Sequence, residues 1–201
     1  MSKLYFYYGV MNSSKTANLL LQAHSLEENN IPFLCLKSSK DIRDGDMIRS
    51  RIGIERKAVL IEDDTDIFKS ISVYNTLLNS SNKKLQWILV DEAQFLLPTQ
   101  IDDLAKAVDY LDVNVCCYGL RTDFQSHLFE GSKRLMELAD EIKEIKSTCK
   151  CGRKSSINAR IDENGNLILN GEQVAIEGKD ANYIPICRKC FFEQQIKNCN
   201  L

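Results

Sequence analysis

A chain of 201 residues allows one substantial domain, or one with a small appendage, at ~100–200 residues per domain. With 44% hydrophobic and 27% charged residues the composition is ordinary for a globular protein, which excludes the disordered and fibrous classes. Twenty-six Lys and Arg against 28 Asp and Glu leave a net charge of −2, so no basic field is offered to nucleic acid.

Residues 4–8 form a short aromatic run ending at Gly9, which predicts a buried strand. Residues 14–29 carry Leu19, Leu20, Ala23 and Leu26 at helical spacing. A second strand is expected over 31–37. Residues 38–57 are polar, without strong periodicity, and read as a long surface loop of the lid kind. A third strand (58–61) and a helix (67–78) follow. Residues 87–90, Trp-Ile-Leu-Val, are the clearest buried strand and run straight into Asp91-Glu92. Then come a helix from about Thr99 to Leu111, a strand over 114–118 ending at Gly119, and a helix over 133–145 with Leu135, Leu138, Ala139 and Ile142 on one face. Strands alternating with helices give right-handed βαβ units on a parallel sheet, an α/β fold. From Ser147 the style changes, and Asn164-Gly165-Asn166 predicts a turn pairing 159–161 with 167–169. The expected division is 1–146 for this α/β unit and 147–201 for a small cysteine-bearing one. Apolar runs are far shorter than the ~20 residues of a membrane span and the first residues lack a signal peptide's apolar core, so a cytoplasmic location is expected.

Gly9-Val10-Met11-Asn12-Ser13-Ser14-Lys15-Thr16 follows a strand and opens a helix. It fits the phosphate-binding loop G-x-x-x-x-G-K-[ST] except that Ser14 stands where the second glycine belongs. Backbone N–H groups at a helix start aim partial positive charge at a phosphate. Lys15 would add a full charge near the β- and γ-phosphates, and the Thr16 hydroxyl would ligate Mg²⁺. The plainer reading is Ser13 or Ser14 capping an ordinary helix. A Cβ at position 14 either weakens nucleotide binding or is accommodated. Asp91, after four apolar residues, is placed to face Mg²⁺ at the carboxyl end of a strand. Glu92 is placed to take a proton from an attacking hydroxyl, the plainer reading being a strand that ends in solvated acids.

Of eight cysteines, Cys35, Cys116 and Cys117 lie in apolar runs as small core residues, and Cys199 lies in a polar tail. Cys149-x-Cys151 and Cys187-x-x-Cys190 supply two close pairs, a tetrahedral thiolate set for a structural Zn²⁺. The alternative is four reduced thiols in a small core. His24 and His127 read as surface or helix residues.

With these features in order, the chain resembles the zinc-containing, cytosolic type of thymidine kinase. The resemblance rests on residues 8–16, on Asp91-Glu92-Ala93-Gln94-Phe95, on Gly119-Leu120-Arg121-Thr122-Asp123-Phe124, on residues 128–132, and on the tail segments Cys149-Lys150-Cys151-Gly152 and 183–190. It implies a RecA-like P-loop parallel sheet flanked by helices, with a small zinc ribbon. The implied reaction moves the γ-phosphoryl of ATP to the 5′-hydroxyl of thymidine. Gly9, Val10, Met11, Asn12, Ser13, Ser14, Lys15 and Thr16 would cradle the phosphates with Gln94 and Arg51. Thr16 and Asp91 would hold Mg²⁺, and Glu92 would be the base. The thymine pocket would comprise Met11, Phe95, Leu120, Phe124, Phe129 and Tyr183, covered by a loop from Gly178 to Tyr183 in which Lys179 replaces a glycine. A homotetramer inhibited by thymidine triphosphate is also implied. Two other readings stand beside it. Ser14 raises a nucleoside- or nucleotide-binding protein of the same fold that has lost turnover. Asp91-Glu92-Ala93-Gln94 raises a helicase-like ATPase, against which stand the chain's length and slight acidity.

Overall fold

The computed structural model describes residues 1–173 and 182–199. In chain order the elements are β1 (Leu4–Tyr8), α1 (Lys15–Glu28), β2 (Phe33–Ser38), β3 (Met47–Arg49), β4 (Glu55–Lys57), β5 (Val59–Ile61), α2 (Ile67–Asn79), β6 (Trp87–Asp91), α3 (Pro98–Leu111), β7 (Asn114–Gly119), α4 (Glu130–Leu138), β8 (Glu141–Glu144), β9 (Ile157–Ile161), β10 (Asn182–Ile186) and α5 (Arg188–Cys199). Among these no helix is long and apolar enough to cross a membrane.

Strand alternation builds the layers. Leu4 and Phe6 of β1 face one side of the sheet, with Ile88 and Val90 of β6 and Val115 and Cys117 of β7. They pack against Ile67 and Ile71 of α2, Ile101 and Leu104 of α3 and Leu135 of α4. The alternate residues, Leu89, Cys116 and Tyr118, face the other side against Leu19, Leu20, Ala23 and Leu26 of α1. Because both faces are covered, β6 and β7 read as continuous apolar runs. Each fully buried aliphatic side chain contributes about 1.5–3 kcal/mol. All pairings in the six-stranded sheet are parallel, in the order β5-β2-β6-β7-β1-β8. The α/β parallel sheet flanked by helices is therefore as the sequence predicts, and Cys35, Cys116 and Cys117 are buried in it.

Three local expectations need correction. Residues 38–57 do not form a structureless loop: β3 and β4 pair antiparallel, Met47 opposite Lys57, and Ile48 is buried against α1. One buried isoleucine in a polar segment is too sparse a period to read. The helix expected over 133–145 ends at Leu138, and Glu141–Glu144 instead adds a strand beside β1. Asp140 makes the switch, its carboxylate accepting from Leu4 N–H at 2.7 Å while its own N–H donates to Leu4 O at 2.9 Å. The exposed edge of β1 thus captures a segment whose apolar spacing is helical. Finally, the turn over 162–166 forms, with Asp162 N–H donating to Asn166 O at 3.0 Å, but the pairing stops at Ile161 opposite Leu167. The main partner of β9 is β10, antiparallel from Ile157 opposite Ile186 to Ile161 opposite Asn182. Ile168 N–H still donates to Arg160 O at 2.8 Å, but beyond it the chain turns to the loop after β7, where Gln125 Nε2 donates to Leu169 O at 3.1 Å.

Gly131 fixes how α4 reaches the site. A Cβ there would stand 2.6 Å from Leu96 O and 2.7 Å from Ala93 O, so only glycine lets α4 lie against the turn that follows β6.

Candidate active site

In a parallel sheet the carboxyl ends of all strands lie along one edge, and the loops after β1, β6 and β7 meet there. The loop after β1 is held at its neck by Gly9, whose N–H donates to Gly119 O at 3.3 Å and where a Cβ would stand 2.6 Å from Ile145 O. Asn12 and Ser14 both take the left-handed conformation, Ser14 at φ 65°, ψ 27°. Serine therefore adopts the backbone glycine would take there, at a cost of roughly 1–2 kcal/mol. Its exposed side chain makes no capping bond. Ser13 Oγ is buried without a hydrogen bond. Neither serine caps α1, so the plain helix-start reading fails, and the helix opens without a side-chain acceptor on its first N–H groups. Lys15 is 9% exposed and donates from Nζ to Val10 O at 2.9 Å, folding back over the loop. Burial pulls its pKa down, against the charges of Glu92 and Asp91.

Asp91 ends β6 with its Oδ1 3.5 Å from Thr16 Oγ1. Burial, then the neighbouring Glu92 charge, pushes its pKa up from 3.8 to about 7. The sign follows: the folded state holds this proton more tightly than the unfolded chain, so the contribution is complete below about pH 4 and is lost as pH rises through about 7. Without divalent metal, the melting temperature is expected to fall between about pH 4 and 7, and Asp91→Asn is expected to flatten that fall. Thermal melts across this range check it, and an unchanged slope in the variant would contradict it.

Glu92 takes a left-handed turn, φ 50°, ψ 40°, immediately after β6. Its Oε1 accepts from Arg43 Nη2 at 2.8 Å and its Oε2 from Gln94 Nε2 at 2.5 Å. Gln94 Oε1 in turn accepts from Leu120 N–H at 2.9 Å. Behind Arg43, Asp41 Oδ1 accepts from its Nε at 2.6 Å, and Asp41 Oδ2 lies 3.1 Å from Nζ of Lys37, itself 1% exposed. The carboxylate of Glu92 is thus aimed by a continuous chain of bonds.

One cleft of about 610 Å³ is lined by Met11, Asn12, Ser13, Ser14, Lys15, Thr16, Arg51, Asp91, Glu92 and Gln94, and also by Phe95, Leu120, Phe124, Phe129 and Tyr183. The residues expected to hold phosphate and those expected to hold a nucleoside therefore face the same space. Gly9 and Val10, also expected to cradle phosphate, do not line this cleft, and Gly178 and Lys179 lie outside the described residues. Phe95 and Phe129 meet edge to face at 5.9 Å, and the Arg160 guanidinium lies 5.4 Å from the Phe124 ring centre. His24 and His127 are exposed.

Cys149, Cys151, Cys187 and Cys190 bring their Sγ atoms within 4.8 Å of one another, Cys151 and Cys187 at 3.6 Å. A zinc tetrahedron with Zn–S of about 2.3 Å has edges of ~3.8 Å, so this donor set fits a structural zinc and leaves no ligand position for chemistry. The backbone N–H of Cys190, 3.5 Å from Cys187 Sγ, pulls the Cys187 thiol down, while hydrogen bonding to Cys151 and Cys187 pushes the Cys190 thiol up, as expected of thiols crowded together.

The family model described as thymidine kinase matches residues 2–191. The chain belongs to the thymidine kinase family. A thymidine kinase of Streptococcus gordonii, strain Challis, is 46% identical over 200 residues, covering 98% of this chain and all of that protein. Thymidine kinases of Streptococcus pyogenes serotype M3 and Streptococcus agalactiae serotype Ia are each 44% identical over 198 residues, again across 98% of this chain and all of theirs. Among solved structures, the Pif1 helicase from Candida albicans superposes with a TM-score of 0.44 at 11% identity, over 73% of this chain and 36% of that one. That likeness is too slight to argue from. Membership of the thymidine kinase family does not favour the binding-only or helicase readings.

Within this thymidine kinase cleft, several residues escaped the sequence reading. Arg43, Asp41 and Lys37 fall in or beside the polar segment that showed no periodicity. Their only signal was Asp-x-Arg after a lysine that closes a strand. Asp123 is buried, accepting from the N–H groups of Gln125 and His127 at 2.8 and 2.9 Å and from Gln173 Nε2 at 3.0 Å. Asn158 is 3% exposed and touches the phosphate loop.

Proposed function

We propose that this chain transfers the γ-phosphoryl group of Mg·ATP to the 5′-hydroxyl of thymidine, giving thymidine monophosphate. The carrying observation is the shared cleft: Lys15 and Thr16, the Asp91-Glu92 pair and the aromatic side chains of Phe95, Phe124, Phe129 and Tyr183 all line it, in a chain matched by thymidine kinases end to end.

In this reading the loop 9–16 receives the phosphates, with Lys15 supplying full positive charge and Arg51 and Gln94 adding polar contacts. Thr16 and Asp91 hold Mg²⁺, and their facing oxygens suit a hard, oxygen-seeking cation. When bound, that ion neutralises charge developing on the phosphates. Glu92 takes the proton from the 5′-hydroxyl, and its fixed orientation lowers the cost of reaching the reactive geometry. Met11, Phe95, Leu120, Phe124, Phe129, Gly178 and Tyr183 enclose the thymine. Residues 1–146 supply nucleotide binding and residues 147–201 the metal-held cover. A cytoplasmic setting keeps the four zinc-binding thiols reduced. A homotetramer and inhibition by thymidine triphosphate complete the reading, on the strength of the family likeness. The test is product analysis with [γ-³²P]ATP: label is expected on the 5′-oxygen of thymidine, and 5′-deoxythymidine is expected to bind without reacting. Phosphate release that ignores thymidine would count against the proposal.

A further inference from the structure

We infer that Asn158 is a positioning residue that ties the cysteine-bearing strand pair to the phosphate loop, so that the order of that loop depends on the ribbon; the nucleotide part of this rests on the function proposed above. Alternation along β9 sends Ile157 and Ala159 into a core shared with Cys149, Ile186 and Cys187. Asn158, between them, faces the other way. Its Oδ1 accepts from Met11 N–H at 2.7 Å, and its Nδ2 donates to Thr122 O at 2.9 Å. The amide orientation is dictated by these partners, since the flipped group would set donor against donor and acceptor against acceptor. Both polar ends are spent on backbone, so Asn158 acts through the two loops it holds.

These loops come from different strands. Met11 follows β1, two residues after the Gly9 neck and just before the left-handed Asn12. Thr122 follows β7 and precedes Phe124 in the cleft. Non-glycine residues at positive φ, here Asn12 and Ser14, persist only where their surroundings over-determine them. The bond to Met11 is one such constraint, reaching across 147 positions of sequence. On the ribbon side, Asn158 lies opposite Pro185 in the register, and Ser156 N–H donates to Ile186 O at 3.0 Å, one residue before Cys187. Metal held by the cysteines therefore fixes the strand pair that presents Asn158, and through it the phosphate loop as well as the nucleoside side of the cleft.

The test is amide hydrogen exchange at single-residue resolution on the full zinc-loaded chain, with titration of a fluorescent N-methylanthraniloyl ATP in Mg²⁺. Asn158→Ala is expected to speed exchange at Met11 at least tenfold and weaken the analogue about tenfold, with zinc content unchanged, because a buried donor loses its acceptor. Asn158→Asp keeps an acceptor for Met11 and loses the donor to Thr122. It is expected to keep Met11 better protected than the alanine variant does, because the acceptor remains. Its carboxylate faces Thr122 O and repels phosphate, so the analogue weakens in both variants and Met11 exchange is the readout that separates them. Native protection of Met11 in the alanine variant overturns the inference, and so does loss of protection in the aspartate variant equal to that in alanine. If alanine does not fold, the aspartate comparison decides. Exchange needs no turnover, so an inactive chain with this pattern would sink the kinase reading and leave the tether standing. An active kinase whose Met11 ignores Asn158 would do the reverse.

Discussion

Replacing Glu92 with glutamine is expected to lower turnover about 10²- to 10⁴-fold, the scale of a lost general base, while thymidine still binds. Glutamine keeps the size of the side chain but cannot take up the proton. One oxygen still accepts from Arg43, as Glu92 Oε1 does at 2.8 Å. The new amide NH₂ would meet the Gln94 Nε2 donor where Glu92 Oε2 now accepts it. Some loss of orientation is therefore built into the variant. Glu92→Asp separates the two effects, because it keeps the carboxylate and withdraws it by one methylene, so partial turnover should survive. Steady-state kinetics with both substrates measures the split. Unchanged kcat in Glu92→Gln would remove Glu92 from the base role.

Cys187→Ser is expected to cost the protein its zinc and the order of the β9–β10 pair. Structural zinc contributes about 10–16 kcal/mol of apparent binding free energy in small zinc-finger peptides at neutral pH. That is comparable with the whole stability of a typical domain, about 5–15 kcal/mol. The cysteine sulfurs sit at the end of a small core of Ile157, Ala159, Leu167 and Ile186, too few apolar residues to hold the pair unaided. Cys35→Ser is the control, since Cys35 lies in the main core beside α1 and away from the four-thiol cluster. Metal analysis should give about one zinc per chain for the parent and for Cys35→Ser, and far less for Cys187→Ser. Equal zinc in all three would remove the cluster from metal binding.

What could be read in the sequence were features whose cause is local. β1, β6 and β7 are buried on both faces, so their apolar runs are unbroken, and the loop after β1 keeps its fixed residues at fixed spacing. The cysteine pairs are legible for the same reason, because a tetrahedral ion needs close ligands from two short loops. β8 was not legible: Leu135, Leu138, Ala139 and Ile142 have helical spacing, and only the open edge of β1, 136 residues away through the Leu4–Asp140 bond, turns the segment into a strand. The aiming of Glu92 was equally hidden, since Lys37, Asp41 and Arg43 gain meaning only when β2 is laid beside β6. Asn158 shows the general case, a polar residue in an alternating strand whose partners are backbone atoms of two distant loops. Ser14 lies between these cases. Its departure from the motif was plain, but that serine can hold the left-handed conformation appears only in the folded loop.

The most direct measurement is thymidine phosphorylation by Mg·ATP, comparing the chain as it stands with Ser14→Gly. Many turnovers of thymidine to its 5′-monophosphate are predicted for the parent, with the glycine variant within about threefold, because the loop already holds the backbone glycine would adopt and the side chain there is exposed. Thymidine binding with no phosphorylated product from the parent, at any ATP concentration, would contradict the account.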